Sequence, residues 1–321
     1  MNASEMLSAA NDCHDDEPVR GAELLRSLDA AALATDERPL LAFLLNHVLG
    51  EKLGCWAEAD LRQTALLGLA RTAGQTPPAV LLRQAAVAAH LGGADDGPAR
   101  CATLCAALAE ATGAPPAQAL QLVRLAAAAF TAPGLDAATA GALVLSAMAP
   151  LLASGPNPWQ QPGGLDSAAA AQCNNIASEL VERPLPALQD PTLREALAQA
   201  AANSQQLWQR AGTWVHWERV CYLRALCASA LGDAAGARAH AAAGLALLDV
   251  HDGVRDGQHE QAVDRAFLEM ELAWACDALG LAYEAAAAHA RAEALAADFG
   301  DAGLTAWFRQ LSERNRLLAG R

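Results

Sequence analysis

Along the chain apolar residues recur three and four positions apart instead of alternating, and the runs with this spacing are divided by short stretches of Gly, Pro, Asp and Asn. That period lays side chains along one face of an α-helix. Asn2 followed by Glu5 reads as the capping box of a short first helix. Asp16 and Pro18 open a second, through "VRGAELLRSLDAAALA", and Thr35, Asp36 and Pro39 a third, "LLAFLLNHVLGEKLG". Further helices are predicted over 54–72, 77–91, 98–111, 115–130 and 136–153. The connections "AGQTPP", "GGADDGP", "TGAPP" and "TAPGLD" are short, so consecutive helices should fold back as antiparallel neighbours.

"SGPNPWQQPGGLD", which begins at residue 154, breaks this rhythm with prolines and glycines. It predicts a hinge at 154–165 between an N-terminal helical half, 1–153, and a C-terminal half, 166–321. Asp166 then starts "SAAAAQCNNIASELVE", and Asp190, Pro191 and a Thr192/Glu195 capping box start the next helix. Helices follow over 191–211, 213–231, 234–249, 258–279, 281–299 and 301–318. The expectation is an all-α chain of about fourteen helices.

Three segments share a phase: "LGCWAEADLRQTALLGL" around Gly54, "LGDAAGARAHAAAGLAL" around Gly232 and "LGLAYEAAAAHARAEAL" around Gly280. Each closes a helix with Leu-Gly and places a small residue five positions on, at Ala59, Ala237 and Ala285. Seven positions before the glycines stand Ala225 and Ala273 in the later two segments, but His47 in the first. This pattern resembles the tetratricopeptide repeat, with departures: Gly232 and Gly280 lie 48 residues apart, against a standard period of about 34, and the excess is the charged stretch "DVHDGVRDGQHEQ". The resemblance implies an α-solenoid of stacked antiparallel helix pairs that binds a peptide or partner protein along a concave face built from the first helix of each pair. It also implies that Asn174 and Asn175 grip a bound backbone, alongside the alternative that they are merely solvated.

Composition narrows the function classes. Alanine is the commonest residue, which suits close-packed helices, and Lys52 is the only lysine. A net charge of −14 opposes direct contact with nucleic acid. The start "MNASEMLSAANDCHDDE" has no signal-peptide pattern, and the uncharged run from Ala137 is diluted with Ala and Gly and interrupted by Pro150. Neither export nor a membrane partner is therefore expected. Eight cysteines without CxxC spacing read as free thiols in a cytoplasmic protein.

Candidate chemistry concentrates in "WQRAGTWVHWERVCYLRALC", residues 208–227, which holds Trp208, Trp214 and Trp217 of the seven tryptophans. Val220, Cys227 and Leu231 follow Trp217 along one stripe, with Trp214, Cys221, Ala225 and Ala228 on a second. Glu218, Arg219 and Arg224 point at different azimuths, so one wet face cannot expose all three. The cluster reads first as helix packing. Its alternative is a ligand or peptide groove, with Arg210, Trp214 and Trp217 among its residues, in which Arg219 or Arg224 and His216 meet an acidic or carboxylate group. His216 and Glu218, two apart, do not form a catalytic dyad.

Cys101 and Cys105 read as core. "VHDGVRDGQHEQAVD" matches neither HExxH nor a calcium loop, and no phosphate loop, GxSxG elbow or dinucleotide fingerprint occurs. Accordingly no enzyme, no cofactor and no metal site is expected. The second function considered is a small-molecule sensor or enzyme with a pocket between the halves near Trp159. The last helix, with Trp307, Phe308, Leu311 and Leu318, serves either as a cap or as a homodimer contact.

Overall fold

The computed structural model describes residues 1–152, 159, 162–251 and 258–319, and among these are fifteen α-helices and no strand. The fold is all-α, with consecutive helices packed on one another and, between residues 166 and 296, helix pairs stacked as in an α-solenoid. Contacts divide the chain into two compact units, one of residues 1–134 with 152–165, the other of 135–151 with 166–321. The hinge predicted at 154–165 and the charged loop after His251 fall largely outside the described residues.

The first unit contains α1 (Ala3–Cys13), α2 (Pro18–Ser27), α3 (Arg38–Leu44), a π-helix (Leu45–Lys52), α4 (Trp56–Thr72), α5 (Ala79–Leu91), α6 (Gly97–Thr112) and α7 (Pro116–Thr131). The Asn2–Glu5 capping box forms in both directions, at 2.8 and 2.9 Å. The second helix stops earlier than its pattern predicts. Leu28 turns extended and Asp29 accepts from the Ala31 amide, capping a 3-10 turn, while Leu28 and Leu33 are buried. The third predicted helix widens into the π-helix, and there Gly50 leaves the space that the Trp56 ring fills.

Helix α5 is the axis of this unit and packs on α3, α4, α6, α7 and the π-helix. Buried amides link it to its neighbours. Gln63 Nε2 donates to Asn46 Oδ1 at 3.0 Å, and Asn46 Nδ2 donates to Gln84 Oε1 at 2.7 Å, joining α4, the π-helix and α5 through buried amides.

The second unit contains α8 (Ala137–Leu152), α9 (Asp166–Val181), α10 (Pro191–Ala211), α11 (Trp214–Leu231), α12 (Ala234–Val250), α13 (Gln258–Ala278), α14 (Ala282–Ala296) and α15 (Ala302–Ala319). Its hairpins are α9/α10, α11/α12 and α13/α14, with α9 beside α11, α11 beside α13, and α15 against α13 and α11. Pro150 sits in the last turn of α8. The α10 start differs from the expected Thr192/Glu195 box: Asp190 is itself the cap, its Oδ1 accepting from the Thr192 and Leu193 amides at 2.9 Å each.

The turns carry the predicted logic. Gly54, Gly232 and Gly280 have φ of 69°, 77° and 73°, the left-handed region that favours glycine at a helix end. Ala59, Ala237 and Ala285 are buried where the second helix of each pair meets the first, as are Ala225 and Ala273. No described helix is long and apolar enough to cross a membrane.

Candidate functional site

The first helices of the three hairpins converge on one pocket of about 250 Å³. From α9 come Asn174, Ser178 and Val181, spaced so that they share a helical face, with Glu182 just past its end. From α11 come Glu218, Arg219, Tyr222, Leu223 and Leu226, again one stripe, and from α13 come Val263, Asp264 and Phe267. Trp307 of α15 completes the lining. Since α9 lies beside α11 and α11 beside α13, one face from each helix builds a continuous surface.

The lining joins charge to aromatic surface. Glu182, Glu218 and Asp264 supply three carboxylates against the single guanidinium of Arg219, which approaches Asp264 across the α11–α13 contact at 3.9 Å. Burial raises the Glu182 carboxyl above its ordinary range and pushes the Tyr222 phenol well up, an effect that the nearby Glu271 carboxylate reinforces for Tyr222. Arg314 of α15 is the cation that both groups feel, and burial lowers its own pKa. The Tyr222 ring meets Phe267 edge-on at 5.7 Å, and Phe267 meets Trp307 at 4.6 Å, so the three aromatics form one connected wall.

The eight residues singled out from the sequence are distributed unevenly. Asn174 and Arg219 line the pocket, while Asn175 is exposed on another face of α9. Arg210 lies at the far end of α10 and pairs with the buried Asp166 at 3.2 Å. Trp214 stacks on His251, ring centroids 4.4 Å apart, and packs against Ala225, Ala241, Leu248 and Leu268. His216 stacks on Trp208 at 4.2 Å, and its Nδ1 accepts from the Thr213 amide at 3.1 Å.

Trp217 departs from the core stripe assigned to it and is 39% exposed, because its indole N–H donates to the Trp208 carbonyl at 2.9 Å and so staples the turn between α10 and α11. Arg224 is half-buried beside His240, whose charged form burial and this arginine both disfavour. Four of the eight (Trp214, His216, Trp217 and Arg210) thus work at helix junctions.

Sequence reasoning missed Glu182, Tyr222, Asp264, Phe267 and Trp307 as pocket residues. The available signal was the mixed azimuth of charge on α11: Glu218 is fully buried and Arg219 exposed on adjacent positions, as expected of a helix flanked on both sides.

Fold and pocket together define an all-α protein whose second unit gathers polar and aromatic groups from three first helices and from α15. No protein-family model matches the chain, and no curated protein matches it.

Proposed function

We propose that this chain is a cytoplasmic, tetratricopeptide-like interaction scaffold that holds a segment of a partner protein on the first-helix face of its C-terminal unit. The observation that carries the reading is the composition of the pocket wall, with α9, α11 and α13 each contributing one helical face and no second helix of a pair contributing any. The glycine turns and buried alanines support the repeat resemblance, and eight free cysteines support a reducing compartment.

The lining chemistry selects the segment. The carboxylates of Glu182 and Asp264 beside an aromatic wall attract a cation, which gains both from charge and from the ring faces. The net charge of −14 adds long-range attraction for a basic partner. The occupant is therefore a peptide segment presenting a basic side chain to Glu182 and Asp264, with its aliphatic stem against Phe267 and Trp307.

Selection from a displayed random-peptide library, followed by calorimetry of the enriched peptides, tests this reading. The expected result is enrichment of Arg- or Lys-bearing sequences whose affinity falls about tenfold or more in Trp307→Ala and Asp264→Asn. Failure to enrich any sequence, or enriched peptides indifferent to both substitutions, would overturn it.

A further inference from the structure

In the first unit, the end of α1 and the π-helix bring His14, Asp15 and His47 together, with one ligand-capable atom of each lying within 4.8 Å of the others. The Asp15 carboxylate faces both imidazoles: His14 Nε2 lies 3.1 Å from Oδ2 and His47 Nε2 lies 3.2 Å from Oδ1. The opposite nitrogens of the two rings are already engaged. His47 Nδ1 is 2.6 Å from the Glu51 carboxylate, and His14 Nδ1 is held on the Asn11 carbonyl.

Those partners accept only, which assigns a proton to each Nδ1 and, in the neutral rings, a lone pair to each Nε2. Two such lone pairs and a carboxylate then converge, and the Lys52 ammonium, 3.0 Å from Asp15 Oδ1, answers the carboxylate but not the imidazole nitrogens. Either protons on the imidazoles or one divalent cation resolves this.

The cation fits better than a generic acidic cluster would allow. The separations of 3.1 and 3.2 Å run to the two different oxygens of Asp15, so the exposed carboxylate would turn one oxygen to the ion, with one ligand atom of each residue within 4.8 Å of the others. A carboxylate behind one metal-binding imidazole and a backbone carbonyl behind the other are the usual outer partners that fix tautomer and ring orientation. The rings are further held in place, with His47 stacked on Phe43 at 5.3 Å and meeting His14 edge-on at 5.1 Å. Asp15 is 60% exposed, which leaves an entry path and room for water to complete the coordination.

We propose that His14, Asp15 and His47 bind a divalent transition-metal ion, zinc in the first instance, with Glu51 and Asn11 orienting the two imidazoles. Two nitrogens and one carboxylate suit zinc over calcium or magnesium, which favour all-oxygen shells. Lys52, whose Nζ lies 3.0 Å from Asp15 Oδ1, competes for the carboxylate and weakens the site. Binding would clamp α1 onto the π-helix, and it is independent of the peptide pocket.

The test uses the full chain, stripped with chelator and titrated with Zn²⁺ by calorimetry, with Co²⁺ absorption as a probe of the ligand set. One saturable ion per chain is expected, lost in His14→Asn and Asp15→Asn with the helical circular dichroism retained. Glu51→Gln should weaken binding about tenfold, and Lys52→Gln should tighten it. No saturable uptake would overturn the proposal, as would uptake that survives both His14→Asn and Asp15→Asn. Both partly exposed positions tolerate substitution without a core rearrangement.

Discussion

The Ser229 hydroxyl of α11 donates to the Glu271 carboxylate of α13 across 2.5 Å in the interior of the second unit. Asn315 Nδ2 of α15 donates to the other oxygen of Glu271 at 3.0 Å. One acidic side chain thus ties together three of the helices that wall the pocket. Burial raises its pKa, against the two hydrogen bonds and the Arg314 charge that pull it down.

The pH dependence follows from that direction. Between the ordinary carboxylate value of 4.5 and the raised native value, the folded chain binds more protons at Glu271 than the unfolded chain, so this group's contribution to stability falls as pH rises. Glu271→Gln removes the titration and keeps an acceptor. Urea unfolding should show the variant at least as stable as the native chain at pH 7, with a smaller fall as pH rises above the ordinary carboxylate value. Glu271→Ala leaves the Ser229 and Asn315 donors unpaired and should lose about 2–3 kcal/mol.

In the first unit Arg100 of α6 holds Asp60 of α4 with two hydrogen bonds, 2.6 and 2.7 Å, and donates a third to Thr64 at 2.7 Å. Asp60 is nearly buried, so removing its partner strands a charge. Arg100→Ala is expected to cost about 2 kcal/mol, and the loss should shrink when Asp60→Asn is combined with it. Thermal unfolding of the single and double variants measures this coupling.

Two glycines separate close packing from helix propensity. A methyl at Gly244 of α12 would lie 2.7 Å from Leu268 and 3.2 Å from Cys221, whereas one at Gly68 of α4 meets nothing within 4 Å. Gly244→Ala should lose about 1–3 kcal/mol through overpacking, despite the better helix former. Gly68→Ala should gain up to about 1 kcal/mol. Paired denaturation curves distinguish them.

The fold was legible because its signals are local. The Asn2–Glu5 cap, the left-handed glycines 54, 232 and 280, and the buried alanines five positions on are each set within one turn of chain. The early end of the second helix was hidden because it depends on burying Leu28 and Leu33, a tertiary demand that overrides the alanine run between them. The pocket was hidden for a similar reason. Asn174, Tyr222, Asp264 and Trp307 are distant in sequence, and only the rotation of each helix against its neighbours decides which stripe faces which. The aromatic cluster at 208–217, conspicuous in composition, proves to pin the α10–α11 turn through Trp217, Trp208 and His216. The approach of His14 to His47 was hidden because 33 residues and two helices separate them.

A photo-reactive benzoylphenylalanine installed in turn at Asn174 and Asp264, which line the pocket, and at Ala239, exposed on α12, locates a library-selected peptide directly. Covalent capture at Asn174 and Asp264 with none at Ala239 is the result expected of a first-helix binding face. Capture at Ala239 equal to that at the two pocket positions, or confined to it, would contradict such a face.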